Sequence, residues 1–279
     1  MIKKVSILLC AYNAEAFIAE AIESTLAQTF YDYEFIIIND GSTDNTLNII
    51  KSYSDERIKV STKEHNYIAS LNWGLKLCHG EYIARMDADD IMEPSRLEKQ
   101  VELMDSNPDI AVCCSLAQAF GKVNNIMGGM VREEVHNSHL LFLLGNFIIH
   151  PTSMIRRKFL TDHRLCYKDY PYAEDFKLWT DIARYGGRFF VIPQILLRYR
   201  HTDIQVSHIH NQEQNESRLL IQQEIIEKEF QKIPSIYRQR TKRLFNQMIL
   251  CHKDGLLTAD TIIRVMFLTF NNIYQMSNL

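Results

Sequence analysis

The run Phe35-Ile36-Ile37-Ile38, apolar at every position and followed at once by Asn-Asp-Gly-Ser-Thr-Asp-Asn-Thr, constrains the fold of this chain more than any other feature. A strand with one wet face alternates apolar and polar residues. A strand apolar on both sides must be covered on both, which is the condition of an inner strand in a parallel sheet. It sits in a series. Val5-Ser6-Ile7-Leu8-Leu9 is a β-rich run, followed by Asn13, a good helix N-cap, and a stretch carrying Phe17, Ile18, Ala21, Ile22, Thr25 and Leu26 on one face. After Phe35–Ile38 the polar turn caps a helix with Leu47, Ile50 and Tyr53. Ile58-Lys59-Val60 is a third strand, residues 69–78 a third helix and Tyr82–Met86 a fourth strand. Pro94 then suits the first turn of a helix striped by Leu97, Val101 and Met104. Strand and helix in strict alternation predict an α/β fold with a doubly wound, mostly parallel sheet.

Beyond residue 110 the pattern is mixed. Ile110–Cys114 reads as a strand, GKVNNIMGGM as a flexible turn region, residues 173–185 as a helix, and Phe189–Ile192 and Ile195–Tyr199 as two strands. From about 211 the composition turns to Gln, Glu, Lys and Arg at helical spacing. The expected organisation is therefore a catalytic α/β domain over 1–210 and a C-terminal helical appendage over 211–279. With 46% hydrophobic residues the chain can bury a substantial core, and a net charge of −3 gives no footing for a nucleic-acid partner. The six cysteines form no CxxC pair and read as free thiols of a reducing cytoplasm; Cys113 and Cys114, neighbours in a strand, should point to opposite faces. The apolar run after the two N-terminal lysines is too short for a signal peptide, and no stretch is long enough to span a membrane.

Ligands of open α/β sheets bind beyond the carboxyl ends of the strands. Polar clusters stand at four consecutive strand ends: Tyr12-Asn13, Asp40-Gly41-Ser42, His65-Asn66, and Asp87, Asp89 and Asp90. In extended chain Asp87 and Asp89 project to one side about 6–7 Å apart. Two carboxylates held so favour a hard divalent cation, Mn²⁺ or Mg²⁺, of the kind that bridges to phosphates. The bland alternative is an acidic helix cap, for which Asp90 alone would serve. Glu174-Asp175 is a second acidic site. Adjacent helical residues point about 100° apart, so the two cannot share one role, and a helix N-terminus would hold a carboxylate ionised.

Four stretches, VSILLCAYN, FIIINDGSTDNT, GEYIARMDADD and YAEDFKLW, in this order and spacing, resemble the family-two nucleotide-sugar glycosyltransferases of the GT-A fold, from Val5 to about Ser207. The resemblance implies roles. Tyr12, with Asn13 beside it, would lie against the nucleotide base. Asp40 would accept from the imide N–H of uracil or thymine, which favours a UDP- or dTDP-sugar. Asp87 would hold the ribose side, and Asp89 the metal bridging the diphosphate. Asp175 would be the general base of an inverting displacement, with Glu174 in support. Asn66 stands where the family carries a glycine near the diphosphate, and Asn tolerates a left-handed backbone. His201, one place earlier than the family histidine, would be a further metal or phosphate ligand. HPTSMIRR (150–157) matches a region facing the acceptor, with His150 read as structural. Trp179 has two readings, a face for a sugar ring or core packing.

Other readings fare worse. A haloacid-dehalogenase-like phosphatase would need Thr or Val at Ile91 and leaves Asp40, Glu174 and Asp175 without a task. A sugar-nucleotide pyrophosphorylase needs a glycine-rich basic N-terminal loop. An inactive binding module is opposed by the intact Asp89 and Asp175. The expected protein is a cytoplasmic glycosyltransferase acting on a saccharide or lipid-linked saccharide acceptor, in surface polysaccharide or glycolipid synthesis. Its basic, apolar tail either packs against the core or a second subunit in a homodimer, or makes peripheral contact at the inner face of the membrane.

Overall fold

The computed structural model describes residues 2–128, 133–135, 138–202 and 210–277. Its first half follows the predicted alternation: β1 (Val5–Ala11), α1 (Ile18–Leu26), β2 (Tyr33–Asp40), α2 (Thr46–Ser52), β3 (Ile58–Lys63), α3 (Tyr67–Leu77) and β4 (Tyr82–Asp87). There follow β5 (Ile91–Met92), α4 (Arg96–Ser106), β6 (Ile110–Gly121), β7 (Ile126–Met127), β8 (Glu133–Val135), α5 (Ser138–Leu141), β9 (Met154–Arg156), α6 (Arg157–His163), α7 (Glu174–Arg184) and β10 (Arg188–His201). Three helices close the chain: α8 (Asn211–Lys232), α9 (Ser235–Lys253) and α10 (Ala259–Ser277).

The sheet runs β3-β2-β1-β4-β9-β6-β10-β5, with β7 on β6 and β8 on β10. β3, β2, β1 and β4 are parallel, as are β6 and β10, while β9 and β5 run against their neighbours. The double coverage deduced from Phe35–Ile38 is direct. Ile7, Leu9, Phe35 and Ile37 face a core with α1 and α4, whereas Leu8, Cys10, Ile36 and Ile38 face another with α3 and α7. Cys113 and Cys114 divide between the same two cores, and all six cysteines are free thiols. Gly74 of α3 lies directly on this sheet: a Cβ there would come 2.2 Å from Leu8 Cδ1.

Three local expectations are corrected, and one strand is added. Asn13 does not cap α1, which begins at Ile18; it sits at φ 46° and its side-chain oxygen accepts from Thr43 N at 2.8 Å, tying two loops together. The two strands foreseen at 189–192 and 195–199 are one, β10, with register shifts around Pro193, which has no N–H for the ladder. The GKVNNIMGGM segment contains β7, paired to Ala117 and Gln118, though its Gly129 and Met130 lie outside the described residues. HPTSMIRR contributes β9, an antiparallel strand wedged between β4 and β6 and too short to show a period.

The tail shares the sheet domain's core. Ile221, Ile225, Phe245, Met266 and Phe270 belong to the same apolar cluster as Phe142 and Phe189. Glu229 of α8 is buried, where it accepts from His139 of α5, Lys232 and Tyr274 of α10. Burial alone would raise its pKa, but these three donors outweigh it and hold the carboxyl at about 2. The apolar stretch 261–270 is thus largely spent on packing: Ile262, Met266 and Phe270 all face inward. Among the described residues no helix is long and apolar enough to cross a membrane.

Candidate active site

The carboxyl ends of β1, β2, β3 and β4 lie side by side, so the polar residues that follow them form one rim. The first two loops are laced together, with Asn13 N donating to Ser42 Oγ at 3.1 Å and Ala14 N to Thr46 Oγ1 at 2.8 Å. Gly41 takes φ +71°, and a Cβ there would stand 2.7 Å from His65 N, so the β2 loop also presses directly on the β3 loop. Tyr12 is partly exposed and its ring stacks on His65, centroids 3.8 Å apart. Asp40 is fully buried. Its Oδ1 accepts from Asn66 N at 2.9 Å and Ser70 Oγ at 2.6 Å, and its Oδ2 from His65 Nδ1 at 2.9 Å.

Asn66 departs from its expected backbone. It is extended (φ −163°, ψ 98°) and is the N-cap of α3, accepting from Ala69 N at 2.9 Å. The glycine-like backbone is therefore not what Asn contributes here; its side chain starts the helix.

β4 ends at Asp87, and the chain turns at Ala88-Asp89, so the two carboxylates are not related by a strand's period of two. They remain electrostatically close. Burial, then the charge of Asp87, pushes the Asp89 carboxyl up to about 6, and Asp90 is raised well above the usual range for the same reasons. Asp90 accepts from Arg200 N at 2.8 Å through Oδ1, while its buried Oδ2 has no partner among the described residues. Arg200 also donates from Nε to the Asp89 carbonyl at 2.7 Å. Arg85, a fully buried arginine one turn of the pleat before Asp87, pairs with it at 2.8 Å and donates to the Tyr67 hydroxyl at 2.8 Å. Neither arginine stood out in the sequence, since an arginine inside a strand is ordinarily a surface residue. His201 ends β10, partly buried with its ring 5.3 Å from that of Tyr199.

Do these residues fit a divalent cation? Among the described residues no three Asp, Glu, His or Cys side chains converge as a preformed metal cage. What the turn offers is an excess of buried carboxylate oxygen, including the orphaned Oδ2 of Asp90, with arginine charge already committed to Asp87 and to the Asp89 backbone. That is an oxygen-only, charge-deficient setting, suited to a Mg²⁺ or Mn²⁺ that takes one or two protein carboxylates and draws its remaining ligands from phosphate and water. The fit is good.

Glu174 and Asp175 open α7, which shares a core with α3 on one face of the sheet. The helix start does not lower their pKa values. Burial, and then the Asp175 charge, lifts Glu174 to about 8, and burial lifts Asp175 to about 6 against the bonds it accepts from Phe176 N and Asn146. Desolvation of a whole carboxylate exceeds what the half-charge of a helix end returns. The hydrogen bonds are 2.6 Å from Phe176 N to Oδ1 and 2.9 Å from Asn146 Nδ2 to Oδ2. Asp87 contributes to raising both groups, so the second acidic site adjoins the first. Asn146 had no sequence signal. Trp179 is fully buried, edge-on to His150 at 5.9 Å, and offers no face to a sugar. His150 bonds the Tyr167 hydroxyl at 2.8 Å; burial, then Arg85, holds it neutral in a structural place.

A sheet of this order, with acidic loops gathered at the carboxyl edge of the parallel strands, defines an α/β transferase of the GT-A architecture. The model of glycosyl transferase family 2 matches residues 6–164. An uncharacterized glycosyltransferase of Haemophilus influenzae is 40% identical over 236 residues, 80% of this chain and 73% of that protein. The Escherichia coli UDP-Glc:alpha-D-GlcNAc-diphosphoundecaprenol beta-1,3-glucosyltransferase WfgD is 39% identical over 105 residues, 37% of this chain and 42% of that one. In fold, S. aureus TarS 1-349 in complex with UDP-GlcNAc matches at TM-score 0.66 and 22% identity, over 78% of this chain and 65% of that chain. The mannosyltransferase PcManGT of Pyrobaculum calidifontis, in complex with GDP-Man and Mn²⁺, matches at TM-score 0.61 and 15% identity, over 97% and 74%. This chain belongs to glycosyl transferase family 2 and is a glycosyltransferase.

Proposed function

We propose that the protein is an inverting, metal-dependent transferase that moves a sugar from a UDP-sugar to a hydroxyl of a lipid-linked saccharide. The observation that carries the reading is the split pair Glu174 and Asp175, adjoining Asp87 at the carboxyl edge of the sheet. Neighbouring carboxyls pushed to different pKa values take different roles. Burial raises both, and Asp175, held by Phe176 N and Asn146, is the member assigned the base, with the more buried Glu174 as its protonated neighbour.

The acceptor oxygen attacks the anomeric carbon while the bond from that carbon to the diphosphate oxygen breaks. The acceptor proton passes to an oxygen of Asp175, and the diphosphate departs with the bonding pair, so configuration inverts. Asn146 and Phe176 N fix the Asp175 carboxyl for this transfer. Protonated Glu174 places no second charge beside it and offers an O–H to a sugar oxygen. A divalent cation held by Asp89 would offset the charge gathering on the leaving diphosphate. Tyr12 and Asp40 receive the base, and Asp87, fixed by Arg85, the ribose.

The UDP and lipid-linked parts rest on the relative WfgD, whose name carries both, and the GDP-Man complex of a fold neighbour makes the base the first point to test. Titration calorimetry with UDP, dTDP and GDP, each with Mn²⁺, is expected to show binding for UDP first. Failure of all three to bind would end the donor-site reading.

A lipid-linked acceptor places the enzyme at a membrane surface, and α9 fits one. It carries Arg238, Arg240, Lys242, Arg243 and Lys253 with no acidic residue, and exposes Ile236, Leu244, Ile249 and Leu250. Each basic residue near an anionic bilayer contributes about 1 kcal/mol, within a Debye length. Co-sedimentation with vesicles containing phosphatidylglycerol is expected, with release by high salt and none on neutral vesicles. Equal recovery in the supernatant with both lipids would remove membrane contact.

A further inference from the structure

One oxygen of Asp40 is already taken by an aromatic N–H. His65 lies nearly flat on Tyr12, 3.8 Å between centroids and 21° between planes, while its Nδ1 is 2.9 Å from Asp40 Oδ2. A carboxylate only accepts, so Nδ1 carries the proton of that bond. A planar ring stacked on Tyr12 and donating N–H to Asp40 is the posture the proposed function assigns to the uracil of the donor. The other Asp40 oxygen is engaged by Asn66 N and Ser70 Oγ, so a base has no second oxygen to choose.

We propose that His65 is an internal stand-in for the nucleobase, whose ring must leave Tyr12 and Asp40 before a donor enters. This rests on the reading of Tyr12 and Asp40 as the base site. The backbone of the loop cannot make the exchange. Gly41 presses on His65 N, where even a Cβ would be 2.7 Å away, and the next residue is bound to Asp40 and caps α3. The side chain can make it. It is 54% exposed, and a turn about its own torsions carries the ring into solvent. Such a ring does two things. It keeps the buried Asp40 carboxylate satisfied when no donor is bound, a group that would otherwise lie buried short of a donor. It also lowers every donor's affinity by one common factor, set by the fraction of time the ring stands aside.

An open population of about a tenth would weaken donor binding about tenfold. His65→Ala is therefore expected to bind UDP about tenfold more tightly than the native chain, by calorimetry in Mn²⁺, while pyrophosphate with Mn²⁺ binds both alike. In the native chain, the His65 ring protons are expected to lose the upfield ring-current shift of Tyr12 when UDP is added, a readout that needs no variant. UDP binding to His65→Ala that is equal or weaker, or a ring signal unmoved by UDP, overturns the proposal while leaving the donor site standing. Weaker binding would mean that the ring clasps the base instead of yielding to it. If the native chain binds no uridine nucleotide at all, the underlying base-site reading fails, and this one with it.

Discussion

Asp175→Asn is expected to lower turnover by about 10²–10⁴-fold, the usual contribution of a positioned general base, with UDP affinity within a factor of two or so of native. The amide keeps the shape of the side chain and one of the two accepting oxygens used by Asn146 and Phe176 N, but it cannot take a proton. Native kcat/KM should fall tenfold per pH unit below about 6, since the base must be ionised and its pKa is raised to about 6. The variant's residual rate should lack that limb. Glu174→Gln, imitating a group that already holds its proton at pH 7, should cost far less. The stability signs run the opposite way. A carboxyl with a raised folded-state pKa stabilises the fold only below its unfolded pKa, and the contribution is lost as pH rises through the folded value. Both groups therefore burden the fold at pH 7–8, and Asp175→Asn should melt no lower than native there. Loss of activity without loss of stability marks a group kept for chemistry. An Asp175→Asn enzyme within threefold of native turnover would remove Asp175 as the base.

Signals that depend on neighbours in the chain were legible, and signals that depend on neighbours in space were not. The unbroken apolar run of β2 announced a sheet covered on both faces, and the acidic and polar strand ends announced a site on its rim. Asn13 and Asn66 show the limit. Both have the chemistry of a cap or a left-handed turn, and only the packing decides which: Asn13 is drawn across to Thr43 and takes the left-handed backbone, leaving Asn66 to cap a helix. The same holds for charge. A helix N-terminus is visible in sequence and argues for ionised Glu174 and Asp175, but burial is not visible, and it won by pushing both carboxyls up. Arg85, Arg200 and Asn146 carry no local mark, because each matters through a partner that is distant in sequence or hidden by burial: Asp87, the Asp90 turn and Asp175. β9 was missed because three residues have no period.

Asp89→Ala is expected to weaken UDP binding in Mn²⁺ by about 10²-fold or more, a few kcal/mol of lost charge compensation at the diphosphate, and to make the remaining affinity indifferent to EDTA. The native chain should lose affinity to a similar degree when EDTA removes the metal. The choice of Asp89 over its neighbours follows from what each already holds. Asp87 is matched by the Arg85 guanidinium, and Asp90 spends one oxygen on the Arg200 backbone N–H, bracing β10 against the turn. Asp89 has the Arg200 Nε on its backbone carbonyl, and burial and the Asp87 charge outweigh what Arg200 and Arg85 return to its carboxyl. Truncation at Asp89 should therefore spare the fold, whereas Asp90→Ala should lower the melting temperature by releasing β10. The two variants separate a metal ligand from a structural carboxylate. If Asp89→Ala binds UDP with Mn²⁺ as tightly as the native chain, the cation is held elsewhere or is not used, and the charge gathering on the leaving diphosphate must be met by the arginines of the turn.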